Sequence, residues 1–267
     1  MENAGTIKKS IVQNAINTIY GIIYGIGCDQ KIKVAEYQAI YEWMEESKEF
    51  RSNTEFQECY ILLQEVLADE YISFAEYSSL MECFQVYKSS SLFSDSTLSM
   101  QILKGIVRGI EADREVNTEE VQELYKWMEA NAGLKGNYPF DKIFTTLENV
   151  LENNIIDQEE EKLLLEMFCQ FTNPETVSCS EIDLNGKVCC LTGNFSNGTK
   201  ADVEEYIACK GGSCISSLNR TADYLIVGGQ GSDDWKYGNY GSKVSKAVQM
   251  QEKGSVIRIV DEKTLYR

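Results

Sequence analysis

Histidine is absent from this chain, and no stretch of about 18 consecutive apolar residues occurs. Without histidine there is no imidazole to act as general base or metal ligand, and without a long apolar run no membrane-spanning helix is expected. No C-x-x-C pair occurs, and the nine cysteines are odd in number, so zinc ribbons and disulfide scaffolds lack support. The first residues, MENAGTIKKS, carry no apolar signal region, so a reduced, cytoplasmic setting is expected. Neither a P-loop nor a G-x-S-x-G elbow is found, and the chain is expected to be no enzyme and to use no cofactor.

What is present is acidity, unevenly placed. Through Glu175 there are 31 acidic and 14 basic residues, a net of −17; from Thr176 onward there are 11 of each. The first two thirds would repel a phosphate backbone, so any nucleic-acid contact must come from the last third.

The acidic region is duplicated. Residues 21–87 align with 105–171 at a constant offset of 84, so that GIIYGIGCDQKIKVAEYQAIYEWME meets GIVRGIEADREVNTEEVQELYKWME. Gly21, Gly25, Trp43 and Met44 fall on Gly105, Gly109, Trp127 and Met128. Apolar residues recur at three- and four-residue spacing, which predicts amphipathic helices throughout. The paired glycines predict close helix approach, because glycine in a helix otherwise costs about 1 kcal/mol. Trp43 and Trp127 are expected as core anchors. The Ser-rich KSSSLFSDSTLSM between the halves reads as a linker. The expected organisation is multidomain: helical units at 1–88 and 97–175, then a third domain at 180–267.

One turn design occurs four times: Asp29-x-x-Ile32-x-x-x-Glu36, Asp69-x-x-Ile72-x-x-x-Glu76, Asp113-x-x-Val116-x-x-x-Glu120 and Asn153-x-x-Ile156-x-x-x-Glu160. Acidic groups at this spacing resemble a fragment of a calcium loop, but the alternating oxygen ligands and the sharp-bend glycine are missing. Helix capping by the acidic side chains is the stronger reading, and no metal is expected. The turn, in an acidic all-α setting, also resembles the TerB-like helical family, which implies a protein-interaction or signalling role.

After Asn173-Pro174 the pattern becomes alternating strand and helix. Strands are predicted at 187–191, 213–216, 224–227 and 256–260, with helices at 200–209 and 242–253 and a short piece near Glu262. Such a β-α-β-β-α-β order implies a four-stranded parallel sheet with helices on both faces. The segments LNGKVCCLTGNFSNGTKADVEEYIACKGGSCISSLNRTADYLIVGG and GSKVSKAVQMQEKGSVIRIVDEKTLYR resemble a BRCT domain, similar to the single BRCT domains of NAD-dependent DNA ligases and of the clamp-loader large subunit. The resemblance implies an α/β module that binds a DNA 5′-phosphate end or a phosphorylated protein. It places an anion pocket on the Thr192 hydroxyl and the Gly193 backbone, with Lys243 as the phosphate-binding lysine and Lys200 and Lys246 as further contacts.

The residues support this independently. Lys200, Lys243 and Lys246 lie in first helical turns, where a cation opposes the macrodipole unless an anion is near. The bland alternative is a plain turn with solvated lysines. Trp235, Tyr237 and Tyr240, in GGQGSDDWKYGNYG, are candidates for stacking on bases or a peptide, or for packing back on the domain. Cys189, Cys190, Cys209 and Cys214 are expected to be buried structural thiols. Two function classes follow: a non-catalytic adaptor gripping phosphate while the acidic repeats recruit an unknown protein, or a pure protein scaffold. Neither needs a membrane.

Overall fold

The computed structural model describes residues 9–28, 32–69, 71–88, 94–153, 155–172, 182–193, 195, 197–228 and 242–266. They divide into two compact units, Met1–Asn173 and Pro174–Arg267.

The first unit is all helix: α1 Lys9–Ile26, α2 Tyr37–Glu46, α3 Thr54–Val66, α4 Phe74–Lys88, α5 Asp95–Ile110, α6 Thr118–Ala130, α7 Phe140–Val150 and α8 Gln158–Thr172. The 84-residue offset survives in the element boundaries. Shifted back by it, α8 coincides with α4, and α6 coincides with α2 together with the short 3-10 turn Val34–Glu36 that leads into it.

The two halves meet along α1 and α5, so they share one core. A Cβ on Gly21 would stand 2.2 Å from the Ile102 carbonyl oxygen, and one on Gly109 would stand 2.4 Å from that of Ile22. Only glycine admits backbones at this separation, which explains all four paired glycines by one contact. Around the seam Ile16, Ile19, Ile22, Leu103, Ile106 and Ile110 are fully buried. Within this apolar surface Asn17 and Gln101 are also buried, and the Asn17 amide donates to Gln101 Oε1 at 2.7 Å.

The four turns are helix caps. Glu76, Glu120 and Glu160 accept from the backbone N–H of Ser73 at 2.8 Å, Asn117 at 2.9 Å and Asp157 at 3.0 Å, and Glu36 accepts from that of Lys33. In return Asn117 and Asp157 accept from the N–H of Glu120 and Glu160, both at 2.9 Å, closing reciprocal capping boxes. The leading residues Asp69, Asp113 and Asn153 each accept from the N–H two positions on, at 3.1, 2.9 and 2.9 Å. Asp29 lies outside the described residues.

Two expectations need correcting. Trp43 is buried, with its indole N–H on the Ala15 carbonyl at 2.9 Å, whereas Trp127 is only partly buried and is a weaker anchor. The Ser-rich linker also ends early. Ser94 caps α5 by accepting from the Thr97 N–H, Asp95 faces the positive end of the dipole, and Met100 is fully buried, so residues 95–100 are helix.

The second unit has β1 Val188–Thr192, α9 Lys200–Cys209, β2 Ser213–Ile215, β3 Tyr224–Val227, α10 Ser242–Glu252 and β4 Arg258–Asp261, closed by a 3-10 turn at Glu262–Tyr266. All pairings are parallel, in the order β2-β1-β3-β4, with Cys190 opposite Ile215 and Thr192 opposite Val227. Cys189, Leu191, Ile226 and Val260 form one core with Val203 and Ile207 of α9. By strand alternation Cys190, Leu225 and Ile259 face the other way, where α10 supplies Val244 and Ala247. β4 starts two residues later than expected. Ser255 closes α10 by donating its N–H to Met250 at 2.8 Å, and Val256 is left 87% exposed.

Candidate functional site

In a parallel sheet the strands' C-terminal ends and the following helices' N-termini share one edge, and ligands favour the point where successive crossovers diverge. Here α9 carries the chain from β1 outward to β2, and α10 carries it from β3 outward to β4. The divergence point lies between the ends of β1 and β3. Thr192 and Gly193 stand at that place. Gly193 has φ of 83°, a left-handed conformation that glycine adopts without strain, and Gly228 at the end of β3 donates its N–H to the Thr192 carbonyl at 2.9 Å.

Lys243, in the first turn of α10, reaches the same edge. Its ammonium donates to the Leu191 carbonyl at 2.9 Å and to that of Ser216 at 2.6 Å, bridging the ends of β1 and β2. These bonds hold a cation one residue from Thr192 and offset the unfavourable dipole of the first turn. Thr192 is 7% exposed. Lysine carries three ammonium donors, and two of those of Lys243 are used among the described residues.

The other two lysines diverge from this group. Lys200 is exposed at the start of α9, whose capping box is made by Thr199 and Asp202. Lys246 lies one turn along α10 and donates to the Leu218 carbonyl at 2.6 Å, on the loop between β2 and β3. Among the described residues no carboxylate pairs with Lys200, Lys243 or Lys246. The proposed stacking residues Trp235, Tyr237 and Tyr240 lie outside the described residues.

The strand thiols lie in or beside the core of the sheet. Cys189 and Cys190 are fully buried, and burial pushes the Cys189 thiol up to about 12 and that of Cys214 to about 11. Cys209, expected to be buried, is exposed because it faces outward at the end of α9.

One feature of the surface has no sequence signal. A cleft of about 720 Å³ lies between the Asn219–Arg220 turn, the later half of α10 and the approach to β4. Lys246 and Lys253 share one face of the α10 segment at a seven-residue spacing, but Arg220 lies on a distant turn, so no spacing rule brings it to them.

Comparison with known proteins agrees with the topology. A curated DNA ligase of Endomicrobium trichonymphae is 27% identical over 214 residues, covering 74% of this chain and 28% of the ligase. The chain thus spans under a third of that relative's length, and the similarity takes in more than the second unit contains. No solved structure matches. The family profile described as BRCA1 C Terminus (BRCT) domain matches residues 179–266, and this segment, with its four parallel strands, is a BRCT domain following a helical region.

Proposed function

We propose that this chain is a non-catalytic adaptor whose BRCT domain holds a phosphate group, with a DNA 5′-phosphate end as its ligand, while the acidic helical unit recruits a protein partner. The observation carrying this reading is the Lys243 ammonium, pinned by the Leu191 and Ser216 carbonyls beside Thr192 and Gly193. A hydroxyl, a glycine backbone N–H and an ammonium, the first two at the end of β1 and the third bonded to the carbonyl of the residue before them, are the group types that complement the oxygens of a phosphate. The charge distribution supports a division of labour. With 31 acidic and 14 basic residues through Glu175, the helical part suits a protein partner better than a nucleic acid.

A pure scaffold without phosphate binding is the second reading. The same two carbonyls that pin Lys243 also satisfy most of its donors, which is a structural role sufficient in itself.

The test is titration of the full chain with duplexes bearing or lacking a 5′-phosphate. Preference for the phosphorylated duplex is expected, and Lys243→Ala should weaken its binding about tenfold by deleting a charge-assisted contact. On the unphosphorylated duplex the same substitution should have little effect, because the two changes remove one interaction and do not add. Thr192→Val should cost less. Equal affinity for both duplexes would leave the scaffold reading.

A further inference from the structure

The cleft at the far end of α10 is built from three segments: the Asn219–Arg220 turn, the α10 residues Lys246, Gln249 and Met250, and Lys253 just past the helix. No acidic side chain lines it among the described residues. Lys253 has a local explanation, since a cation at a helix C-terminus is stabilised by the dipole. Arg220 has none. It is exposed on a turn set by Asn219, whose Oδ1 accepts from the Thr221 N–H at 2.8 Å, and it makes no ion pair or hydrogen bond among the described residues.

Lys246 connects this cleft to the other cation site. Lys243, Lys246, Met250 and Lys253 follow one another at three- and four-residue steps along one face of α10. Their cations run from the C-terminal edge of the sheet, where Lys243 bonds Leu191, to the opposite edge. At about 1.5 Å per residue, Lys243 and Lys253 stand roughly 15 Å apart along the helix. A nucleic-acid strand advances about 3.4 Å per nucleotide, so this is roughly four nucleotides.

We infer that the cleft lined by Arg220, Lys246 and Lys253 is a second anion subsite, taking internal backbone phosphates of a DNA duplex whose 5′ end lies at Thr192 and Lys243. The inference rests on the end-phosphate reading for the position of the terminus. A single phosphorylated side chain fills one of the two sites. Two cationic sites along one helix face fit a ligand with charges at regular spacing, as a phosphate backbone has whatever its sequence.

The experiment compares the full wild-type chain with Arg220→Ala/Lys253→Ala and with Lys243→Ala, on duplexes with and without a 5′-phosphate across a salt series. Both altered positions in the double variant are exposed, so its thermal unfolding should match the wild type. The double variant should bind both duplexes more weakly by the same factor, roughly tenfold at low salt, and the slope of log affinity against log salt should fall by about 1.8 for two lost phosphate contacts. An unchanged salt slope overturns the inference. So does a double variant that loses affinity for a phosphorylated acidic peptide but keeps its affinity for duplex. If Lys243→Ala shows no phosphate-dependent effect while the double variant loses slope, the cleft stands and the end-phosphate reading falls.

Discussion

Asn17 and Gln101 are joined by a buried side-chain hydrogen bond of 2.7 Å, and they are separated by 84 residues, the offset of the duplication. Each repeat therefore places a polar residue at the same step of its first helix, and the two meet each other. Gly21 with Gly105, and Gly25 with Gly109, continue this pairing along the seam. The contact between the halves is close to self-complementary, as in a symmetric dimer fused into one chain.

Asn17→Leu should destabilise the helical unit by about 1 to 3 kcal/mol, because Gln101 then loses its donor in a buried site. Adding Gln101→Leu should recover part of the loss, since Gln101 is then apolar too, while the buried Gln13 amide, which donates to Asn17 Oδ1 at 3.1 Å, keeps only its bond to the Tyr87 carbonyl. Urea unfolding of the two variants and the wild type measures this. Equal losses in the single and double variants would show that the hydrogen bond is not what matters at the seam.

Gly21→Ala gains helix propensity of about 1 kcal/mol but forces its Cβ onto the Ile102 carbonyl. The steric term should win, with a net loss of about 1 to 3 kcal/mol. Gly133→Ala is the control, because nothing lies within 4 Å of a Cβ placed there. Thermal unfolding should separate the two, and similar melting temperatures would contradict the close approach.

Lys104 should make stability depend on pH in the alkaline range. It is buried among Arg108, Glu46 and Glu111, and desolvation, reinforced by Arg108, brings its ammonium down from the usual 10.5 to about 8. Between these values the unfolded chain binds more protons than the folded one, so the contribution of Lys104 to stability rises with pH there and stays at its least favourable below about 8. Lys104→Met removes this dependence. The variant should be the more stable near neutrality, on the order of 3 kcal/mol, and its advantage should shrink as pH rises toward 10.5. Denaturant unfolding of both proteins across pH checks the difference; a difference independent of pH would show that Lys104 keeps its proton.

The sequence by itself determined whatever depends on local periodicity and turn chemistry. The 84-residue offset, the helical spacing, the glycine pairs and the capping glutamates are read within a few turns of chain, and Glu76, Glu120 and Glu160 cap as their spacing requires. In the BRCT domain β3 and α9 coincide with the residues where their patterns lie, and Thr192 and Gly193 stand at a strand end. Only the tertiary structure decided what each long side chain meets. Which carbonyls hold Lys243 and Lys246 depends on parallel strands brought together from distant segments, and no spacing rule encodes that. Trp43 and Trp127 share a repeat position yet differ in burial, since burial is set by surrounding elements and not by helix phase. For the same reason Arg220, which belongs to no motif, acquires a place beside Lys246 and Lys253 only when α10 is laid against the loop between β2 and β3.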